Sequence, residues 1–318
     1  MDRRSLLALG AATAAVAVTG DVASAAENAP SDAALARSLG DFRSAYAQVN
    51  GTRLHYVTGG TGSPLVLLPG WPQTWWQFHK IMPALAKRHQ VIAVDLRGMG
   101  GSGKPDRGYD KKTMARDIHE LVRKLGHRKV DVAGHDIGAM VAHSFAVNHP
   151  DAVGKIALLD VPHPDDSLYD LTLIPRPGQP FFLWWFAFNQ VDVLPGQLLA
   201  GRSRLLVDHL CGLMLLDQKN ISDRDRDIYA HAYSTPDAVR AGNGWYQTFS
   251  QDIADQRTYP RLTTPVLGLI SAANYDYVAA AITRHATDVR LVKVANTGHY
   301  LAEEQPAAVI DELTRYFG

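Results

Sequence analysis

Short apolar runs recur along the chain, separated by longer stretches that are amphipathic or built of small residues. Residues 42–49 and 52–58 are rich in β-formers. They meet across Asn50-Gly51, a pair suited to a tight hairpin turn. Residues 65–68 form a short, wholly apolar strand. Residues 75–87 read as helix, 90–94 as a strand ending at Asp95, and 109–125 as an amphipathic helix. A strand at 129–133, a small-residue helix at 138–148 and a strand at 155–159 follow. Alternating strands and helices predict an α/β fold with a mostly parallel sheet, its first two strands antiparallel.

The rhythm breaks after Asp160. Pro162, Pro164, Pro175, Pro177 and Pro180 punctuate a stretch without strand signals, and an aromatic run (181–188) and several helix-like segments follow. Residues 161–259 are therefore expected to form a helical cap inserted into a core made of residues 41–160 and 260–318. Within that core, strands at 266–270 and 289–294 and a last helix at 304–316 complete the pattern.

The N-terminus follows a different logic. Asp2-Arg3-Arg4-Ser5-Leu6-Leu7 precedes an Ala- and Val-rich run that ends near Ala23-Ser24-Ala25. Paired arginines, a weakly hydrophobic middle and an A-x-A site read as a twin-arginine signal peptide over residues 1–25, hence a periplasmic or secreted enzyme. The run is too short and too rich in Ala, Thr and Gly for a spanning helix, so no stable membrane insertion is expected after cleavage. Residues 26–40 read as a loose leader. Lys plus Arg and Asp plus Glu both number 32, which leaves no charge field for nucleic acid. Cys211 is the single cysteine, excluding an intrachain disulfide and a thiolate metal cluster. No cofactor or metal is expected. The oligomeric state is not legible.

Chemistry concentrates at Val132-Ala133-Gly134-His135-Asp136-Ile137-Gly138-Ala139, where glycines stand two before and two after Asp136 between a strand and a helix. This is the layout of a nucleophile elbow, with Asp at the centre instead of the usual Ser. Serine attack on saturated carbon would leave an ether that water cannot clear. A carboxylate leaves an ester that water hydrolyses at the enzyme's own carboxyl carbon. Asp136 therefore points to epoxides or alkyl halides; the competing reading is a helix N-cap. His299, in Asn296-Thr297-Gly298-His299-Tyr300 after the last strand, is the candidate base. The acid that orients it is assigned to Asp160, at the end of the sixth strand, over Asp276. Backbone N–H groups of Trp71 and Ile137 are the candidate oxyanion hole.

Four motifs resemble those of α/β-hydrolases in the epoxide hydrolase and haloacetate dehalogenase group: Pro69-Gly70-Trp71-Pro72-Gln73-Thr74-Trp75, His135-Asp136-Ile137-Gly138, Leu159-Asp160-Val161-Pro162 and Thr297-Gly298-His299-Tyr300-Leu301. The resemblance spans residues 42–318. It implies the α/β-hydrolase fold with an inserted helical cap, and a ring-opening acid at Tyr246 in Gly244-Trp245-Tyr246-Gln247. A second donor falls in Trp184-Trp185-Phe186, at Trp185; Trp185, Trp184 and Trp75 are expected to line the substrate pocket. The chain also departs from the group. Pro69 replaces a usual His, and Ile137 and Met140 stand where fluoroacetate dehalogenases carry two arginines for the substrate carboxylate. Haloalkane dehalogenases put Trp at the position of Ile137. The expected activity is conversion of an apolar epoxide to a vicinal diol through an ester on Asp136. The alternatives are a haloalkane or haloacid dehalogenase with the same nucleophile, and a non-catalytic protein that binds a small apolar ligand.

Overall fold

The structure, a computed structural model, describes residues 29–172, 174 and 183–318. The expected signal peptide lies outside these residues. So do residues 26–28 of the expected leader, and Pro175, Pro177, Pro180 and the start of the aromatic run.

Eight strands form one sheet: β1 (Phe42–Val49), β2 (Thr52–Gly59), β3 (Ser63–Leu68), β4 (His89–Val94), β5 (Val130–His135), β6 (Val153–Leu159), β7 (Val266–Ser271) and β8 (Val289–Val294). Their spatial order is β1-β2-β4-β3-β5-β6-β7-β8. The pairs β1–β2 and β2–β4 are antiparallel and all the others parallel, as expected. Asn50 and Gly51 have φ of 41° and 73°, which closes the hairpin as its two-residue turn requires.

The helices are α1 (Asp32–Ser38), α2 (Met82–Leu85), α3 (Lys111–Lys124), α4 (Ile137–Asn148), α5 (Trp184–Gln190), α6 (Leu194–Leu199), α7 (Ser203–Met214), α8 (Asp223–Ala232), α9 (Pro236–Gln247), α10 (Phe249–Gln256), α11 (Tyr275–His285), α12 (Leu301–Glu304) and α13 (Pro306–Phe317). Alternate residues of each strand feed two cores. Val66, Leu68, Ile92 and Val132 pack with α3 and α4, while Leu65, Leu67, Val91 and Ala133 pack with α1, α2 and α13. Burial on both faces explains why the central strands read as continuous apolar runs.

Helices α5–α10 lie between β6 and β7, the span expected to form the cap, and α10 packs on α3 of the core. There Lys111, fully buried, bonds its Nζ to Asp252 at 2.8 Å and to the Trp245 carbonyl at 2.7 Å. Removing one partner of so buried a pair costs about 3–5 kcal/mol, so this contact fixes where the insertion rejoins the core.

Two expectations need correction. The leader is not loose where it is described: residues 32–38 form α1, capped by Ser31, with Leu35 and Ala36 buried. Asp32 accepts a 2.7 Å hydrogen bond from the Trp75 indole, so the segment is part of the core. The helix expected over 75–87 is instead a 3-10 turn, Trp75–Phe78, and the short α2, with Pro83 in the first turn of α2. Asp95, Arg97 and Ser102 are structural. Asp95 accepts from the N–H groups of Trp75 and Gly101 and pairs with His55 Nδ1 at 2.8 Å, and Arg97 pairs with Asp117. Asp32, His55 and Asp95 come close enough to hold a metal ion, but these hydrogen bonds occupy both Asp95 oxygens.

Candidate active site

The turn from β5 into α4 places Asp136 at φ 51° and ψ −120°, a conformation few non-glycine residues adopt. Close approach of backbone makes both flanking glycines necessary. A Cβ on Gly134 would lie 2.1 Å from the Gly138 carbonyl oxygen, and one on Gly138 would lie 2.0 Å from that of Leu68. Asp136 occupies the N-cap position of α4 but makes no capping bond. Its Oδ1 instead accepts from the Trp71 N–H at 2.9 Å, and its carboxyl also accepts from the N–H of Ile137. These are the two donors assigned to the oxyanion hole. Trp71 is carried there by the loop after β3, which approaches so closely that a Cβ on Gly70 would sit 2.5 Å from Asp136 Cβ.

His299 presents Nε2 to Asp136 Oδ2 at 3.8 Å and Nδ1 to Asp160 Oδ2 at 2.8 Å. Asp160, at the end of β6 with φ 63°, is fully enclosed and accepts three hydrogen bonds. Besides His299, Ser271 N–H donates to Oδ1 at 2.8 Å and Asn274 Nδ2 to Oδ2 at 2.7 Å. A carboxylate buried without such donors would be strongly disfavoured. Asp276, the rival, lies in the first turn of α11. The Asp160 bond to Nδ1 leaves Nε2 of neutral His299 as a proton acceptor.

Burial pushes the Asp136 carboxyl above its ordinary pKa, against the lowering effect of His299 and the two backbone donors. Burial alone would lower His299, but the bond to Asp160 and the charges of Asp160 and Asp136 outweigh it and raise it. The small surface that Asp136 and His299 retain faces a cavity of about 470 Å³.

That cavity runs between core and insertion. Its walls include Met140, Val161, Pro162, Leu168, Leu183 and Leu213. The charged residues among its described lining are Asp136 and Asp160, with the titratable His163 and His299, and that described lining holds no Lys or Arg. Tyr246, on α9, lines it with its ring held by edge contacts to Trp71 and Phe186 at centroid distances of 5.4 and 5.3 Å. Burial and the nearby Asp136 charge raise the Tyr246 hydroxyl well above its ordinary pKa, so it remains a donor. Trp185 also lines the cavity and hydrogen-bonds to Tyr246; an indole only donates, so the Tyr246 oxygen accepts this bond and keeps its own proton.

Two pocket assignments are corrected. Trp75 is wholly buried, its indole bound to Asp32, and is not among the residues that line the cavity. Trp184 turns away, against Phe188 and His209 at 5.7 and 5.6 Å, because adjacent helix positions point about 100° apart. Sequence reasoning missed the wall formed by Leu213, Met214, Leu215 and Leu216, since an apolar helix end reads the same in a core or a cavity. It also missed Asn274 as a partner of Asp160.

A model of the alpha/beta hydrolase fold family matches residues 63–306. A soluble epoxide hydrolase of Corynebacterium sp. (strain C12) is 36% identical over 283 residues, covering 85% of this chain and 96% of that protein. Among solved structures, wild-type Cfl2 from Burkholderia cenocepacia aligns with a TM-score of 0.83 at 34% identity, over 88% of this chain and 97% of its own. The epoxide hydrolase CorEH aligns with a TM-score of 0.78 at 35% identity, over 87% and 98%. The elbow, the strand order and these likenesses agree: the chain belongs to the α/β-hydrolase family, in its epoxide hydrolase group, and is a hydrolase.

Proposed function

We propose that the protein hydrolyses an apolar, uncharged epoxide to a vicinal diol. The observation that carries this reading is an elbow aspartate whose Oδ1 rests in the oxyanion hole while Oδ2 faces His299, in an apolar cavity also lined by a tyrosine that stays protonated. Asp136 Oδ2 attacks a ring carbon, the carbon–oxygen bond breaks, and the ring oxygen takes the Tyr246 proton. His299 then takes a proton from a water that attacks Cγ of the ester. Trp71 and Ile137 hold the negative charge that develops on Oδ1. Collapse of this intermediate expels the diol oxygen, which takes the proton held by His299, and the acid proton left on Asp136 passes to the Tyr246 phenolate, so that all three groups are restored. A carboxylate-bearing haloacid finds no cation in the described lining, which disfavours that alternative.

The test is an intact-mass spectrum of His299→Ala after incubation with styrene oxide and, separately, with a bromoalkane. Without the base the ester accumulates, and a gain equal to the whole epoxide is the expected result. A gain from the bromide alone, short by HBr, would replace this reading with a dehalogenase. Tyr246→Phe should act on the other half of the cycle. Ester formation from the epoxide should slow by about 10²- to 10³-fold while ester breakdown keeps its rate, as read by quenched-flow mass spectrometry.

We also propose export through the twin-arginine route. Paired arginines Arg3 and Arg4 and the Ala23-Ser24-Ala25 site support it. Arg3→Lys with Arg4→Lys should retain the uncleaved chain in the cytoplasm on cell fractionation.

A further inference from the structure

The loop that carries His299 is held by a carboxylate outside the catalytic set. Glu304, on α12 and almost wholly buried, directs Oε1 at three donors: Gly298 N–H at 2.9 Å, Tyr300 N–H at 3.2 Å and the Thr297 hydroxyl at 3.3 Å. These groups bracket His299. The other oxygen, Oε2, accepts from Leu216 N–H at 2.9 Å, on the insertion. His299 N–H itself donates to the Met214 carbonyl at 3.0 Å, and Gly298 passes so close to that carbonyl that a Cβ would fall 1.9 Å from it. Met214, Leu215 and Leu216 are cavity wall. One carboxylate thus binds the backbone on either side of the base and the wall facing the substrate.

We propose that Glu304 is a positioning residue that sets His299 against the Asp136 ester and locks the Met214–Leu216 wall to the same loop. The proposal rests on the two-step reading above, because His299 acts only in the second step. Four donors converge on Glu304, so Gln cannot serve them all: its amide nitrogen must face either Leu216 N–H or the loop amides as donor against donor. Displacing the base by a fraction of an ångström penalises the step that needs it and leaves attack by Asp136 untouched. The Glu304 charge also adds to those of Asp160 and Asp136 in holding the His299 proton, while the neighbouring His135 is held neutral by burial.

Glu304→Gln should form the ester within about twofold of the wild-type rate and hydrolyse it at least roughly tenfold more slowly, so that ester builds up during turnover. In the same variant the His299 ring resonances, followed by NMR without substrate, should titrate at lower pH than in wild type. Leu216→Pro deletes the donor from the insertion and trims one wall side chain, leaving Glu304 and its three loop donors in place; Leu215 is already extended (φ −84°, ψ 140°), as a following proline requires. It should slow ester breakdown with the His299 titration unchanged. Equal slowing of both steps in Glu304→Gln, or no slowing of either, would overturn the proposal, as would an unmoved titration. If His299→Ala yields no adduct from any epoxide, the two-step reading fails on its own, and the titration still decides whether Glu304 governs His299.

Discussion

Asp136→Ala is expected to lose turnover by about four orders of magnitude or more, and to give no adduct with the epoxide that labels His299→Ala. Among the described residues no second carboxylate is placed to substitute, since the other one in the lining, Asp160, has both oxygens engaged by Ser271, Asn274 and His299. The variant should not unfold. Burial raises the Asp136 pKa in the folded protein, which therefore binds this proton more tightly than the unfolded chain does. Asp136 thus lowers stability as pH rises from its ordinary value of 3.8 through the raised one, and that loss persists at neutral pH. Removing the carboxyl relieves it. Thermal melts of Asp136→Ala at pH 7 should equal or exceed wild type, and an inactive variant of lower stability would contradict this account.

Asp160→Asn should separate the half-reactions in the opposite sense from Tyr246→Phe. Ser271 N–H can only donate, so the amide oxygen stays on it, while Asn274 can turn its own side-chain oxygen to the new NH₂; the NH₂ thus takes the place of Oδ2 and faces His299 Nδ1, which must turn acceptor. The proton moves to Nε2, and the base meets its water as a donor. In the Ser-His-Asp template the corresponding change costs about 10⁴-fold in kcat. Here a loss of about 10³- to 10⁴-fold is expected in ester hydrolysis alone, with ester formation retained and the adduct visible by mass at pH 7. A loss confined to ester formation would mean that His299 does not act as the base of the second step.

The site was legible wherever covalent geometry dictates residue type. Gly134 and Gly138 are forced by contacts near 2 Å, and so they mark the elbow in the sequence. The alternation of strands and helices follows from burial on both faces of the sheet, and it placed Asp160 and His299 at strand ends. What the sequence withheld is which apolar surface faces empty space. Trp184 and Trp185 are neighbours of one type, and only the phase of α5 decides that Trp185 meets the cavity. Trp75 belongs to a motif shared with the oxyanion loop, yet its indole is consumed by Asp32 from a segment that composition made look disordered. Ser31, the cap of α1, is a local signal outweighed there by the surrounding Ala, Asn and Asp.

The residues of the proposed first step, Asp136 and Tyr246, both precede β7, whereas His299 lies beyond β8, the last strand and a sheet edge. A molecule whose final segment is undocked or clipped therefore keeps its nucleophile without its means of release. Such molecules would each consume one substrate and stop, so a partly matured preparation would titrate epoxide stoichiometrically beneath its catalytic rate. The size of that initial stoichiometric phase would count the incompletely assembled molecules in the sample.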